Sequence, residues 1–208
     1  MSDFKARIQE LADVYANQLK SKVDERMLEM ENDDISHHLI YRVLGVSDDE
    51  GHRIDHYQNK GRFLYKYAGS FLEEAAFLCF KHRDGNAKKL KIPNTLGAKP
   101  KTFEIDCLSG NDAHEIKWRD ATTDGDHITK EHTRIKVVSA AGYTPVRVMF
   151  YYPNRAQAQR IQQTLETLYR GVGGQYYCGN NAWSYIRDYT GIDLLSILEE
   201  IANERESQ

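Results

Sequence analysis

Apolar side chains return every three or four positions through the first 30 residues of the chain. This spacing predicts one long amphipathic α-helix that ends at the acidic stretch 31–34. A second, shorter helix is predicted over residues 37–46, followed by a turn or a new helix start at 47–51. The apolar stripe of the long helix is formed by Phe4, Ile8, Leu11, Tyr15, Leu19, Val23, Met27 and Met30.

Aromatic and basic residues are interleaved over residues 52–68, and this pattern leaves two interpretations open. The segment can form a surface that contacts DNA, or it can be a half-buried amphipathic element. Residues 69–80 are mostly apolar and predict a helix whose first turns carry Glu73 and Glu74. These two adjacent acids either serve a site or are favoured by the positive end of the helix dipole.

Residues 102–118 predict two short strands that fold back on each other over Gly110 and Asn111. A two-residue turn at this point places Asp106 directly opposite Glu115. Because side chains alternate along a strand, the two carboxylates are expected on one face of the hairpin. Glu104 and Lys117 are expected on that face too, whereas the opposite, core-facing side is expected to carry Ile105, Cys107, His114 and Ile116.

After the hairpin, the periodicity predicts a helix, a strand and further helices. Lys130 and Arg134 lie four residues apart and share one face of the first of these helices. The resulting order of helix, strand, strand, helix, strand predicts an α/β fold, in which helices flank a mixed sheet. The predicted elements are a helix at 127–141, a strand at 144–152 that is apolar on both faces, a helix at 155–169, and two closing helices that begin near Asn180 and Asp193.

Composition places the chain among compact globular proteins. It has 208 residues, of which 40% are hydrophobic and 28% charged, so one domain can bury its own core. No apolar run approaches the length of a membrane span, and the N-terminus lacks the apolar core of a signal peptide. The three cysteines are an odd number at unrelated spacings, which predicts free thiols and a cytoplasmic location.

The distribution of charge is more informative than the net charge of −3. Residues 81–101 contain seven lysines and arginines but one acid, Asp84. A basic segment that leads directly into the acidic hairpin is typical of a contact with a phosphate backbone. The alternative is a lysine-rich loop that is simply solvated.

Two carboxylates placed opposite each other in a hairpin require a compensating cation. Like charges at this distance destabilise a sheet, and Lys117 supplies only part of the balance. A divalent ion with oxygen ligands would supply more, and such an ion can polarise a phosphate and lower the pKa of a water molecule. The alternative is a surface hairpin in which glutamate and lysine pair across the strands.

Other cofactors are not favoured by the sequence. The eight histidines include the pairs His52/His56 and His127/His132, but no CxxC motif accompanies them, so a zinc site is not predicted. The glycine-rich segment 171–174 lacks the lysine and hydroxyl residue of a P-loop, so no nucleotide cofactor is expected.

The hairpin also carries a resemblance to a known family. Ile105-Asp106 followed by Glu115-Ile116-Lys117 resembles the PD-(D/E)xK nuclease superfamily, although Ile105 stands where the family has a proline. Gly69 and Glu73 are similar to the family's Gly-x-x-x-Glu helix, which often adds a carboxylate to the metal site. The αββαβ order over residues 69–152 is similar to the restriction-endonuclease-like core, in which the last strand runs parallel to the motif strand.

This resemblance implies a catalytic role for four residues. Asp106 and Glu115 are expected to bind Mg²⁺, with Glu73 assisting directly or through water. Lys117 is expected to orient the attacking water or to stabilise the charge that develops on the phosphate. Residues 1–208 are then expected to form a single nuclease domain, with helical additions at 1–68 and 155–208 around the core.

The implied function is that of a type II restriction enzyme, which cleaves double-stranded DNA at a specific sequence. Within that class, the segment 115–119 resembles the ApaLI-like group. A homodimer is expected because cleavage of both strands of a palindrome requires two sites related by a twofold axis. A junction resolvase-like nuclease and a catalytically inactive DNA-binding domain remain the alternatives. The residues expected to contact DNA are Lys60, Arg62, Lys88, Lys89, Arg119, Lys130 and Arg134.

Overall fold

The computed structural model describes residues 2–97, 99–119 and 125–207. Its contacts divide the chain into two compact units, Met1–Phe71 and Leu72–Gln208. The division falls within one helix, α3, that spans Asp48–Arg83. Each unit is described below by itself.

The first unit is helical. It contains α1 (Ser2–Met30), α2 (His38–Val43) and the first part of α3. The apolar stripe of α1 is confirmed as a buried face, because Phe4, Ile8 and Met30 are almost fully excluded from solvent. Ser47 begins α3 as its N-cap, since the Ser47 Oγ accepts a hydrogen bond from the Glu50 N–H at 3.2 Å.

Residues 52–83 belong to α3 throughout, whereas the sequence predicted a separate helix that begins at Gly69. The predicted start was wrong because a glycine inside a helix costs only about 1 kcal/mol relative to alanine. That cost is not enough to interrupt a helix that is held by the packing of its apolar residues. Gly61 and Gly69 both lie within α3.

The second unit is built on a five-stranded mixed sheet with the order β1-β2-β3-β4-β5. Strands β1, β2 and β3 pair antiparallel, whereas β3, β4 and β5 pair parallel. The predicted α/β fold is therefore confirmed, including the parallel pairing between the second hairpin strand and the strand after the helix. The elements are β1 (Lys88–Pro93), β2 (Thr102–Ser109), β3 (Asp112–Arg119), α4 (Gly125–Ala140), β4 (Thr144–Tyr151), α5 (Ala156–Gly171), β5 (Gln175–Cys178), α6 (Asn180–Thr190) and α7 (Leu194–Glu206).

The turn between β2 and β3 has the predicted register. Cys107 pairs with His114, and Ser109 pairs with Asp112, so Gly110 and Asn111 are the two turn residues. Gly110 has a φ of +57°, a conformation that glycine adopts without steric cost.

A bulge in β2 changes the rest of the hairpin. Ile105 pairs with Leu90 of β1 and Leu108 pairs with Lys88, so three steps along β2 correspond to two steps along β1. Asp106 and Cys107 therefore lie opposite the single residue Lys89.

The bulge overturns two details of the sequence prediction. The pairing of β2 with β3 ends at Cys107 and His114, so Asp106 and Glu115 are not direct partners in the ladder. Ile105 packs in the same apolar cluster as Leu108, not on the face of Cys107 and His114. The extra residue reverses the alternation of side chains between Ile105 and Leu108.

Helices cover both faces of the sheet. Helix α4 packs Val137 and Val138 against apolar residues of β1, β2 and β3, and α5 extends the layer on that face with Leu165 and Tyr169. On the opposite face, Phe80 of α3 stacks near His114, with ring centroids 4.2 Å apart. Strand β4 is confirmed as buried on both faces, and its side chains Val146 to Phe150 are no more than 1% exposed.

Candidate active site

Asp106 lies at the bulge and is 7% exposed. Its Oδ2 accepts a hydrogen bond of 2.7 Å from the backbone N–H of Ile116 on the adjacent strand. The bulge thus turns the carboxylate toward β3, where a ladder hydrogen bond would otherwise form. A buried carboxylate that accepts a backbone hydrogen bond is held in one orientation.

Glu115 lies on β3, the central strand of the sheet, and is 3% exposed. Its Oε2 is bound by the Nη1 of Arg134 on α4, and its Oε1 lies 2.5 Å from the Nζ of Lys117. The backbone of Glu115 is paired with Arg147 of β4, and the preceding residue His114 is paired with Cys107 of β2.

Lys117 joins the two buried carboxylates. Its Nζ lies 2.5 Å from Glu115 Oε1 and 3.6 Å from Asp106 Oδ2, and it donates a hydrogen bond of 3.1 Å to the carbonyl of Ile116. The Lys117 side chain is 31% exposed, so its ammonium is the solvent-facing member of the group. The structure therefore brings together Asp106, Glu115 and Lys117, as the sequence predicted.

The charges of Asp106 and Lys117 also act on the carboxyl group of Glu73. Burial raises the pKa of its carboxyl, and the negative charge of Asp106 raises it further, while Lys89 and Lys117 oppose the shift. Lys89 Nζ binds Glu73 at 3.0 Å and Glu74 at 2.8 Å. Both acids of this helix are thus neutralised by one lysine of β1, which lies opposite the bulge.

A buried ionic network continues from Glu115 into the core. Glu131 of α4 forms an ion pair with Arg147 of β4, in which Arg147 Nη1 lies 3.1 Å from Glu131 Oε2. The other carboxylate oxygen, Glu131 Oε1, lies 3.2 Å from Arg134 Nε. The hydroxyl of Tyr169 donates to Glu131 Oε2 at 3.2 Å. Arg147 is 1% exposed and is the register partner of Glu115 across the parallel strands.

Sequence reasoning missed this network, although one signal pointed to it. Arg147 is the single charged residue in the apolar strand 144–151. An arginine cannot be buried without a carboxylate partner, so its presence there required a buried acid nearby. Glu131, three residues before Arg134 on the same helix, is that acid.

The residues around Lys117 fit a divalent cation with oxygen ligands. Asp106 and Glu115 are buried carboxylates whose charge requires compensation, and Mg²⁺ prefers such oxygen donors. In this structure the compensation comes from Lys117 and Arg134. Asp106, Glu115 and Glu73 do not form a group whose ligand atoms all lie within 4.8 Å of one another. Among the described residues 2–97, 99–119 and 125–207, a group that meets this distance lies in the first unit.

The predicted DNA-contact residues fall into two groups. Lys60, Arg62, Lys88, Arg119 and Lys130 have exposed side chains. Lys89 and Arg134, whose side chains are 38% and 21% exposed, are held in ion pairs with carboxylates. A role in DNA contact stays a prediction for both groups.

A cavity of about 550 Å³ lies where β3 and β4 end. These strands are parallel, so their carboxyl ends reach the same edge of the sheet. Aromatic and basic residues line the cavity, including Trp118, Arg119, Tyr151, Tyr152 and Arg155. Side chains of this kind can stack on bases and bind phosphates.

Within the part of the chain that the structure describes, no helix combines the length and the apolar character needed to span a membrane.

Comparison with known proteins gives one positive result. Neither the curated proteins nor the solved structures include a match to this chain. A family model that describes the ApaLI-like restriction endonucleases matches residues 1–203 of the 208. The match covers the buried carboxylates, Lys117 and helices of both units, and the chain therefore belongs to the ApaLI-like restriction endonuclease family.

Proposed function

We propose that the protein is a magnesium-dependent type II restriction endonuclease that hydrolyses phosphodiester bonds at a specific sequence in double-stranded DNA. The observation that carries this proposal is the placement of the Lys117 ammonium against the buried carboxylates of Asp106 and Glu115. This set stands on an αββαβ core, the arrangement that resembles the PD-(D/E)xK superfamily. Membership in a restriction endonuclease family supports the same reaction class.

In this proposal Asp106 and Glu115 would hold Mg²⁺, and Glu73 would contribute a third carboxylate directly or through water. When bound, the ion supplies a Lewis acid that polarises the phosphate and lowers the pKa of a water molecule. Asp106 is kept in position by the Ile116 N–H, and Glu115 by the central strand. The protein thus provides ligands that need little reorganisation when the ion arrives.

Lys117 and Arg134 have a second role that follows from charge balance. In the described structure, their two positive charges neutralise the two buried carboxylates. A divalent ion would take over part of that neutralisation, which leaves the Lys117 ammonium available to the negatively charged phosphodiester. Lys117 then orients the attacking water or stabilises the charge on the phosphate, and Arg134 steadies the ligand Glu115.

We further propose that the active form is a homodimer. A palindromic DNA site presents its two scissile bonds with twofold symmetry, so two copies of the chain related by a twofold axis match it. Sedimentation of the purified protein with and without a DNA duplex measures this directly.

The decisive experiment compares DNA cleavage by the full-length protein and two variants. The wild-type protein with Mg²⁺ is expected to give discrete fragments from plasmid and from linear duplex DNA. Asp106→Asn and Lys117→Met are each expected to reduce the cleavage rate by about 100-fold or more, because each removes an interaction with the reacting phosphate or its metal. Lys136→Ala, at an exposed position on α4, is the control and should retain most of the activity.

Three results would contradict the proposal. Unchanged cleavage by Asp106→Asn or Lys117→Met would place the active site elsewhere. Cleavage confined to branched DNA would instead indicate a junction resolvase-like enzyme, and DNA binding without Mg²⁺-dependent cleavage would indicate an inactive DNA-binding protein.

A further inference from the structure

A second cluster of metal-binding side chains lies in the first unit. The Nε2 atoms of His37 and His38 both face Asp55 Oδ2, at 3.0 Å and 3.3 Å. These are the three residues whose ligand atoms lie within 4.8 Å of one another in the described part of the chain. His38 is 3% exposed, and Asp55 projects from α3 toward both rings.

Without a cation, the two ring nitrogens of a neutral His38 cannot both find a hydrogen-bond partner, because each faces a carboxylate oxygen. If a neutral His38 ring donates its Nε2 hydrogen to Asp55, its Nδ1 is a bare acceptor. That Nδ1 lies 3.7 Å from Asp48 Oδ1, which can also only accept. Both atoms are buried without a hydrogen-bond partner. Two acceptors that face each other in a buried position are unfavourable.

A metal ion on the Nε2 of His38 removes this conflict. The ring proton then resides on Nδ1 and points toward the Asp48 carboxylate 3.7 Å away, so a donor faces the acceptor and a shift of a few tenths of an ångström completes the hydrogen bond. A carboxylate behind a metal-bound histidine is the usual device that fixes the ring and its tautomer. At the ligand Asp55, the Tyr41 hydroxyl donates a hydrogen bond of 2.9 Å to Oδ1, which leaves Oδ2 for the ion.

We propose that His37, His38 and Asp55 bind a zinc ion through the two Nε2 atoms and Asp55 Oδ2. In a tetrahedral zinc site with bonds of about 2.0–2.1 Å, neighbouring ligand atoms lie about 3.3–3.4 Å apart. The two distances to Asp55 Oδ2 need to change by only a few tenths of an ångström to reach that value. Two imidazoles favour zinc over magnesium or calcium, which prefer sites composed entirely of oxygen.

The surroundings leave room for the fourth position. The three ligands line a cavity of about 180 Å³, and His52 of α3 lines it as well. Water, or His52 after a movement of its side chain, would complete the tetrahedron. Arg26 also lines the cavity, but its guanidinium is bound to Glu29 and Asp33, so its charge is already compensated.

The ion would tie the start of α2 to the second turn of α3. His37 and His38 are separated from Asp55 by the turn 44–47, and the cross-link therefore restrains a short helix that has few buried apolar residues. A structural zinc site stabilises the fold that contains it. The site is distinct from the four catalytic candidates and does not depend on the proposed nuclease reaction.

Zinc content of the full-length protein tests this proposal. The protein, with any affinity tag removed, is stripped with a chelator, incubated with excess ZnCl₂ and dialysed against metal-free buffer. Elemental analysis by mass spectrometry is expected to find about one zinc ion per chain, and zinc is expected to raise the unfolding temperature. His37→Ala and Asp55→Ala should lose the ion, and the far-ultraviolet circular dichroism spectrum establishes that they remain folded.

Matched variants distinguish zinc held by this cluster from zinc bound elsewhere on the chain. Asp106→Asn and His82→Ala should keep the zinc, because neither residue belongs to the cluster. Asp48→Ala should weaken zinc affinity about 10-fold or more through loss of the carboxylate behind His38, whereas Arg42→Ala, which removes only the partner of Asp48, should not.

Two outcomes would overturn the proposal. A wild-type protein that holds no zinc after incubation with excess ZnCl₂ would show that His37, His38 and Asp55 are not a zinc site. Zinc retained by folded His37→Ala and Asp55→Ala would show that the ion binds at another place.

Discussion

The Arg134 guanidinium and the Glu115 carboxylate form an ion pair that joins α4 to the central strand of the sheet. The spacing of Lys130 and Arg134 suggested a common exposed face that contacts DNA. The structure separates them, because Lys130 is exposed whereas the Arg134 side chain is 21% exposed and lies against a catalytic candidate. Arg134 is therefore a link between the candidate active site and the buried network.

Replacing Arg134 with alanine should make the protein less stable but more responsive to Mg²⁺. The loss of one partner from Glu115 is expected to cost about 1–3 kcal/mol of unfolding free energy. Because the carboxylate then lacks part of its compensation, millimolar Mg²⁺ should raise the unfolding temperature more in Arg134→Ala than in the wild type. Thermal unfolding with and without the ion measures both effects. Equal shifts in the two proteins would show that Arg134 and the ion do not share Glu115.

Arg147 should be essential for stability. Arg147→Met leaves Glu131 buried with one of its cations missing, which is expected to cost about 3–5 kcal/mol in urea denaturation. The double variant Arg147→Met/Glu131→Gln removes both charges and should recover part of that loss. Arg170→Met is the control, because its pair with Glu166 is exposed and screened by solvent. An equal loss in Arg147→Met and Arg170→Met would contradict the buried network.

Lys89 and Lys88 provide a matched pair on β1. Lys89 neutralises Glu73 and Glu74, whereas Lys88, one residue earlier on the same strand, is exposed. If Glu73 assists the metal, Lys89→Ala should reduce the rate of DNA cleavage at saturating DNA more than Lys88→Ala does. Lys88→Ala should act mainly through DNA affinity and become less harmful at low salt. Cleavage rates at several DNA and salt concentrations separate the two effects. Identical behaviour of the two variants would show that Lys89 acts only as a phosphate contact.

The cysteines should differ sharply in reactivity. Burial raises the pKa of the Cys79 thiol and of the Cys107 thiol to about 12, so almost no thiolate is present near neutral pH. Cys178 is only partly buried and should be alkylated first by iodoacetamide in the native protein. Mass spectrometry over time gives the order of labelling, and unfolding in guanidinium should make the three rates similar. Rapid labelling of native Cys79 or Cys107 would contradict their burial.

Local sequence patterns were sufficient for much of the second unit. The turn at Gly110 and Asn111 and the register that it sets depend on a short-range signal. The parallel pairing of β3 with β4 follows from the rule that a strand, a helix and the next strand form one crossover unit. These signals also brought Asp106, Glu115 and Lys117 together. Strand β5 was missed because its four residues follow two glycines, a pattern typical of a loop.

What the sequence could not supply were contacts set by tertiary packing. The bulge at Asp106 arises from pairing with β1, which carries no strong local signal of its own. The partnership of Arg147 with Glu131 joins residues of different elements, and so does that of His38 with Asp55. The helical spacing of His52 and His56 is a local signal that the sequence displays. The cluster in the structure instead combines the adjacent residues His37 and His38 with Asp55, which is distant in sequence.

The bulge in β2 also determines which side chains of that strand reach the core. In a regular strand, residues three apart point to opposite faces of the sheet. Without the extra residue, Ile105 and Leu108 would therefore lie on opposite faces, and one of them would leave the apolar cluster packed against α4. The bulge thus allows the carboxylate of Asp106 to stand within β2 while Ile105 and Leu108 both keep their places in the core.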